Sequence, residues 1–254
     1  MYLKTQGIVL RETNYKEADK ILTVLTRDFG KRTVKASACR RKNSKLMGAA
    51  QLLVFSDMTL FERQERYTLK EASPMESFWG LREDIFLLSL ASYFAETTEA
   101  AAQEGMAHPE LLSLLLNALY ALDTLKKNPV LVKAAFELAL LCHSGYEPQL
   151  YACSVCGNEE PSVPRLHLRA GVLHCADCRA DLEPGISMPM NAAVLSVLRH
   201  IVWGDGKRLF SFVVDEGSQA LLSDLCEAFL LTQFERGFRT LDFYKQLKGT
   251  VTDL

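Results

Sequence analysis

Two pairs of cysteines, Cys153-x-x-Cys156 and Cys175-x-x-Cys178, are separated by residues 157–174. This is the spacing of a structural zinc site. Each C-x-x-C turn aims two sulfurs at one point, and two such turns complete a tetrahedral thiolate cage. Zn²⁺ suits that cage because its filled d-shell imposes no other geometry. Four protein thiolates leave no open coordination position, so one ion per chain would hold shape and not activate water. The competing reading is a pair of redox motifs, which usually stand singly at the start of a helix. Both pairs here are followed by turn-formers: Gly157-Asn158 and the stretch Pro161 to Pro164 after the first, Asp181 to Gly185 after the second. His174 abuts Cys175, yet four thiolates suffice. It and His167 are expected to be exposed or to support the ligands.

A second cluster is cationic. Lys31, Arg32, Lys35, Arg40, Arg41, Lys42 and Lys45 fall in fifteen residues that hold no acidic side chain. Phosphate backbones need several cations reachable from one surface, and arginine adds planar two-point contacts. The plain alternative is a solvated basic face. If all seven met single-strand phosphates, log K would fall against log salt with a slope of about −5. Stacking aromatics are not evident inside the cluster: Tyr15, Phe29, Phe55, Phe61 and Tyr67 share the module, but most are expected in its core. Charge divides along the chain in the same sense. Residues 1–70 carry fifteen Lys+Arg against seven Asp+Glu, and the remainder fourteen against twenty-four. Such asymmetry marks a basic module for polyanions and an acidic remainder.

Other chemistries lack their residues. Gly204-Asp205-Gly206-Lys207 is too short for a Walker loop, and no G-x-G-x-x-G is present. His108-Pro109-Glu110 matches half of a zinc-deaminase signature. The other half needs a proline before a C-x-x-C, and Ala152 stands there. No apolar run reaches the roughly 18 residues of a membrane span. The start of the chain does not read as a secretion signal, and seven cysteines with four on a metal point to a reducing cytoplasm. Cys39, Cys142 and Cys226 are then packing residues.

The elements that must position these groups change in period along the chain. Gln6–Arg11, Asp19–Thr26, Lys31–Ala38, Ala50–Phe61 and Arg66–Ala72 read as five short strands, with a turn at Asp28-Phe29-Gly30. Five strands in so short a stretch point to a small closed barrel of the OB type. From Pro74 the apolar residues recur at helical spacing. One helix runs to about Gly105, a second begins at His108-Pro109, and a third begins at Asn128-Pro129 and closes at Gly145. A fourth spans about Asn191 to Trp203, a fifth about Ser218 to Arg236, stopping near Gly237, and a short last one carries Leu241, Phe243, Tyr244 and Leu247. The expected fold class is α+β. Residues 1–78 form a nucleic-acid-binding OB barrel, 79–150 and 184–254 a helical domain in two parts, and 151–183 an inserted four-cysteine zinc element.

The order of these parts resembles the bacterial RecO family of recombination mediators. The resemblance rests on Gly7-Ile8-Val9-Leu10-Arg11, the run from Tyr15 to Leu22, Thr26-Arg27-Asp28-Phe29-Gly30-Lys31, and Arg40-Arg41-Lys42-Asn43-Ser44. It continues through the paired C-x-x-C motifs and Arg239-Thr240-Leu241-Asp242-Phe243, and so covers essentially the whole chain. One departure is Ala38, near which the family leads one to expect a glycine. The resemblance implies binding to single- and double-stranded DNA, strand annealing, and help in loading RecA onto DNA covered by single-strand-binding protein. It also implies partnership with RecR and with the acidic C-terminal tail of single-strand-binding protein, a functional link to RecF, and a place at the bacterial nucleoid. No catalytic residue is expected. From the residues alone, an RNA-binding or ribosome-associated zinc protein is the alternative.

Overall fold

The computed structural model describes residues 1–181 and 184–252, with the backbone alone for 179–181 and 249–252. Residues 182 and 183, within the turn expected after the second cysteine pair, lie outside the described residues. The chain divides into two compact units, Met1–Thr124 with Phe238–Leu254, and Leu125–Gly237.

The first unit opens with β1 (Tyr2–Tyr15), β2 (Asp19–Thr26), β3 (Gly30–Ala36), β4 (Phe55–Arg63) and β5 (Arg66–Glu76). They close into a barrel in the order β1-β2-β3-β5-β4, with β4 returning to β1 and β3 lying parallel to β5. This is the five-stranded OB arrangement the sequence predicts. Alternate residues face inward: Val9, Leu22, Val24, Val34, Met58, Leu60 and Leu69 are buried together. The pairing of β1 with β2 shifts register between Val9 and Arg11, a bulge that bends the strand where Leu10 is also buried. Gly30 follows the Asp28-Phe29 turn at φ +68, and a Cβ there would lie 1.9 Å from the carbonyl oxygen of Met106. Only glycine fits both demands.

The fourth strand starts five residues later than Ala50. Residues 50–54 are apolar because they dock as a loop: Ala50, Leu53 and Val54 are buried, and Leu53 N–H donates to the Val9 carbonyl at 2.8 Å. Leu53 takes φ +64, which no strand residue adopts. Ala38, near which a glycine was expected, sits at φ +53. The left-handed region costs a non-glycine residue about 1–2 kcal/mol, less the entropy a glycine loses on folding. Ala38→Gly is therefore expected to stabilise the protein by up to about 1 kcal/mol. A rise in the urea midpoint at unchanged slope is the readout; no rise would show that the surrounding turn relaxes the strain.

The helical run after the barrel is broken. α1 (Trp79–Arg82) is a single turn, and α2 (Ile85–Ala101) begins anew because the Asp84 carboxylate caps the Phe86 and Leu87 N–H groups. α3 (Pro109–Asp123) starts at the proline the sequence marks and buries its leucine stripe.

The second unit holds α4 (Pro129–His143), β6 (Pro164–His167), β7 (Val172–Cys175), β8 (Ser187–Pro189), α5 (Ala192–Trp203) and α6 (Glu216–Phe234). Every residue of α4 from Leu131 to Leu141 is buried, Lys133 and Glu137 included. A helix buried on all sides must pair its charges: Lys133 Nζ lies 2.8 Å from Glu137 and 2.9 Å from Glu227 on α6. Gly145 caps α4 at φ +86 as expected, whereas α6 ends three residues before Gly237, with Glu235 in the left-handed position. The short sheet β7-β6-β8 is not among the predicted elements.

α7 (Arg239–Thr252) belongs to the first unit and is longer than its apolar residues announce. The Glu96 carboxylate of α2 accepts from the Thr240 N–H at 3.1 Å and its hydroxyl at 2.5 Å. Phe238 sets its ring edge-on to Tyr93. Among the described residues no helix is long and apolar enough to cross a membrane.

Candidate metal centre and nucleic-acid surface

The four sulfurs of Cys153, Cys156, Cys175 and Cys178 lie within 4.8 Å of one another, and no disulfide joins them. Cys156 Sγ and Cys175 Sγ are 3.6 Å apart. A tetrahedral ion with bonds of about 2.3 Å requires sulfur–sulfur edges of about 3.8 Å. The cluster is therefore shaped for a metal. Its two turns have different supports. The first is closed by Gly157 N–H on the Cys153 carbonyl at 2.9 Å, with Gly157 at φ +74. The second is the end of β7 and the 3₁₀ turn Ala176–Asp181.

Backbone N–H groups favour charge on the sulfurs. Burial raises the Cys153 thiol, but the N–H groups of Cys156, Cys175 and Val155 outweigh it and bring the thiol down to about 6. Burial, then hydrogen bonding to Cys156 and Cys153, pushes Cys175 up to about 12. Cys178 rises to about 11, first through its bond to Cys156. The N–H groups favour charge on Cys153, while its neighbours resist ionisation unless a cation neutralises them.

Neither histidine belongs to the four-sulfur cluster, and neither is exposed. His174 is fully buried, with Nδ1 2.8 Å from the Cys175 carbonyl and Nε2 2.9 Å from Ser187 Oγ, so it fastens β7 near β8. His167 is buried and its Nδ1 accepts from Ala170 N–H. His108 is not in the metal cluster; it precedes Pro109 of α3, outside the helix. Sequence reasoning had no ground for choosing Arg199 on α5. It donates to the carbonyls of Leu150 at 3.0 Å, Tyr151 at 2.9 Å and Glu159 at 2.6 Å, and to the Glu160 carboxylate at 2.9 Å. It grips the backbone on both sides of the first cysteine turn. A lone arginine in an amphipathic helix carries no signal of this.

The seven cations part company on the barrel. β3 alternates, so Lys31 and Lys35 point outward while Arg32 has the inward parity of Val34. Lys31 Nζ donates to the Glu99 carbonyl at 2.6 Å. Arg32 lies over the Tyr67 ring at 4.9 Å, half-buried. Lys35 pairs with Asp19 at 3.0 Å. The remaining four stand on the loop from Ser37 to Val54, all exposed. Arg40 anchors that loop to the β1–β2 turn: its N–H donates to the Ala18 carbonyl at 3.0 Å and its guanidinium to the Glu17 carbonyl at 3.2 Å. Asp19 does the same from β2, accepting the Ala38 N–H at 2.7 Å. That N–H, and then Lys35, hold the Asp19 carboxyl below the usual carboxylate range. Arg41, Lys42 and Lys45 make no ion pair among the described residues. The loop is held from below, by buried Cys39, Ala49 and Ala50 and half-buried Leu46, and so presents its charges on a fixed base.

Comparison with known proteins agrees with this arrangement. The family model described as Recombination protein O N terminal matches residues 1–78, and the one described as Recombination protein O C terminal matches residues 82–242. The chain belongs to the RecO family of DNA-repair proteins. The DNA repair protein RecO of Acetivibrio thermocellus is 32% identical over 97% of both chains. That of Desulforudis audaxviator is 34% identical over 96% of each, and that of Alkaliphilus metalliredigens 29% identical over 97% of this chain and 100% of its own. In this RecO-family chain the N-terminal match coincides with the barrel and its basic loop, and the C-terminal match contains all four cysteines.

Proposed function

We propose that this protein is a non-enzymatic recombination mediator that binds single- and double-stranded DNA through the basic loop of its barrel and promotes annealing of complementary strands. The observation that carries the reading is the exposed, acid-free set Arg40, Arg41, Lys42 and Lys45, fixed to the barrel by Arg40 and Asp19. Annealing follows from neutralising two strands that otherwise repel each other. Membership of the RecO family supports partnership with RecR, contact with the C-terminal tail of single-strand-binding protein, loading of RecA, a link to RecF and a place at the bacterial nucleoid. In the same reading the four cysteines hold one Zn²⁺ that braces the second unit; a thiolate tetrahedron prefers that ion, and it supplies no reaction step.

The test is the triple reversal Arg40→Glu, Arg41→Glu, Lys42→Glu. Three phosphate contacts to a single strand are worth roughly a hundred-fold in affinity at 0.1 M salt and a change of about 2 in the slope of log K against log salt. The loss should be the same for every sequence, since phosphate contacts carry no base code. Unchanged affinity and slope would defeat the reading. Competition by RNA of matched sequence completes the experiment: a clear preference for RNA would move the assignment to an RNA-binding zinc protein.

A further inference from the structure

Tyr15 ends β1 and pairs with Asp19 across the three-residue turn Lys16-Glu17-Ala18. It is one of the few large rings on the barrel left in solvent, 43% exposed, whereas the sequence placed most of these aromatics in the core. Two ammonium groups attend it: Lys16 Nζ lies 5.5 Å and Lys35 Nζ 5.7 Å from the ring centroid. The turn that carries it is also the turn on which Arg40 and Ala38 anchor the basic loop, through the carbonyls of Glu17 and Ala18 and the carboxylate of Asp19. An exposed ring, two cations over it and a basic loop tied to its own turn are thereby brought to one place. A duplex has its base faces already stacked inside and could use only the charges. An unpaired strand offers a π-face as well as phosphates, and aromatic–base stacking is indifferent to sequence.

Building on the DNA-binding reading above, we propose that Tyr15 is the base-stacking residue of this surface and makes it favour single-stranded over double-stranded DNA. Lys16 and Lys35, which lie over the ring in the free protein, yield it to the base and take the phosphates on either side. Asp19 keeps Lys35 near the ring, so that cation is at hand when a strand arrives.

The experiment uses the full-length protein and three probes at one salt concentration: an oligothymidylate, a duplex of the same length, and a single strand of the same length whose residues are abasic. Tyr15→Ala should weaken the oligothymidylate about ten-fold, the effect of one lost stack, and leave duplex and abasic strand unchanged. The salt slope should not move, since no phosphate contact is lost. Tyr15→Trp should restore binding, and the fluorescence of that variant should be quenched by the oligothymidylate beyond any response of Trp79 and Trp203 in the parent protein. Equal weakening of all three probes would mean that the ring only props the lysines, and the proposal would fall. So would an unaltered oligothymidylate affinity, or a Tyr15→Trp variant quenched no more than the parent. Loss of binding on reversing Arg40, Arg41 and Lys42, alongside an inert Tyr15, would sink the stacking role while leaving the DNA-binding reading intact.

Discussion

Withdrawing the metal is expected to loosen the segment between Tyr151 and Gly185 before any other part of the protein. Among its described residues the regular structure is slight: two four-residue strands and a 3₁₀ turn, with the three-residue β8 alongside. Structural Zn²⁺ in small thiolate sites contributes an apparent 10–16 kcal/mol at neutral pH, far more than roughly what such strands can supply by burial. Without the ion nothing joins the four converging sulfurs, and the two turns part. Arg199 still holds the first turn by its backbone carbonyls, so the segment should fray from the second turn, Cys175–Cys178. The measurement is limited proteolysis with peptide mapping, with and without chelator, and on Cys175→Ser. New cleavage between residues 151 and 181, ahead of cleavage in α4 or α6, is the expected result. Metal analysis of the untreated protein should give one equivalent of zinc. An unaltered digestion pattern after proven metal loss would show that the cluster does not brace the fold.

Replacing Lys133 by methionine should cost about 3–5 kcal/mol, the range for breaking a buried ion pair from one side. Lys133 and Glu137 are almost wholly inside, and Glu227 is 16% exposed at its side chain. Burial alone would lower the Lys133 ammonium, but the two carboxylates outweigh it and hold the group well above the ordinary lysine value. A folded value raised above the unfolded one means that this contribution is complete at and below the unfolded lysine value near 10.5, and is lost only as pH rises through the folded value. The Lys133 charge therefore contributes throughout the range from about pH 6 to about pH 9, and the penalty of Lys133→Met should be present across it. Substituting all three charges by well-packed apolar residues should recover most of it, because desolvation of the ions is avoided as well. Urea unfolding of the single and triple variants checks both. A loss under about 1 kcal/mol for the single variant would mean that water reaches Glu137.

Burial also raises the thiols that the sequence assigned to packing. Cys226 is fully buried and lies well above its ordinary value, and Cys142 is pushed up to about 12. Neither is poised to react, because the thiolate is the reactive form.

Several parts of this protein were legible in the residues because their causes are local. Pairing of Cys153-x-x-Cys156 with Cys175-x-x-Cys178 names a ligand set, since the turn chemistry of each pair alone aims its sulfurs. Pro109, Pro129 and Gly145 marked helix ends, and alternation in Asp19–Thr26 defined a strand with its bounds, because each depends on a few neighbouring side chains. The apolar stretch 50–54 misled for the converse reason: burial made it apolar, and burial does not distinguish a docked loop from a strand. Glu235 took the left-handed cap in place of Gly237, although a glycine adopts that conformation at less cost.

What the chain alone determined is chemistry carried by residue type at short range: a four-thiolate metal set, a run of cations free of acids, a five-strand module followed by helices. Tertiary structure decided which of those groups share a surface. It turned Arg32 inward on Tyr67, engaged Lys31 and Lys35 with partners from elsewhere in the chain, tied the loop of the remaining cations through Arg40 to the turn that bears Tyr15, and gave Arg199 the first cysteine turn to hold. Those contacts join residues 16 to 68 positions apart, and a sequence read through its neighbours holds no distance between them.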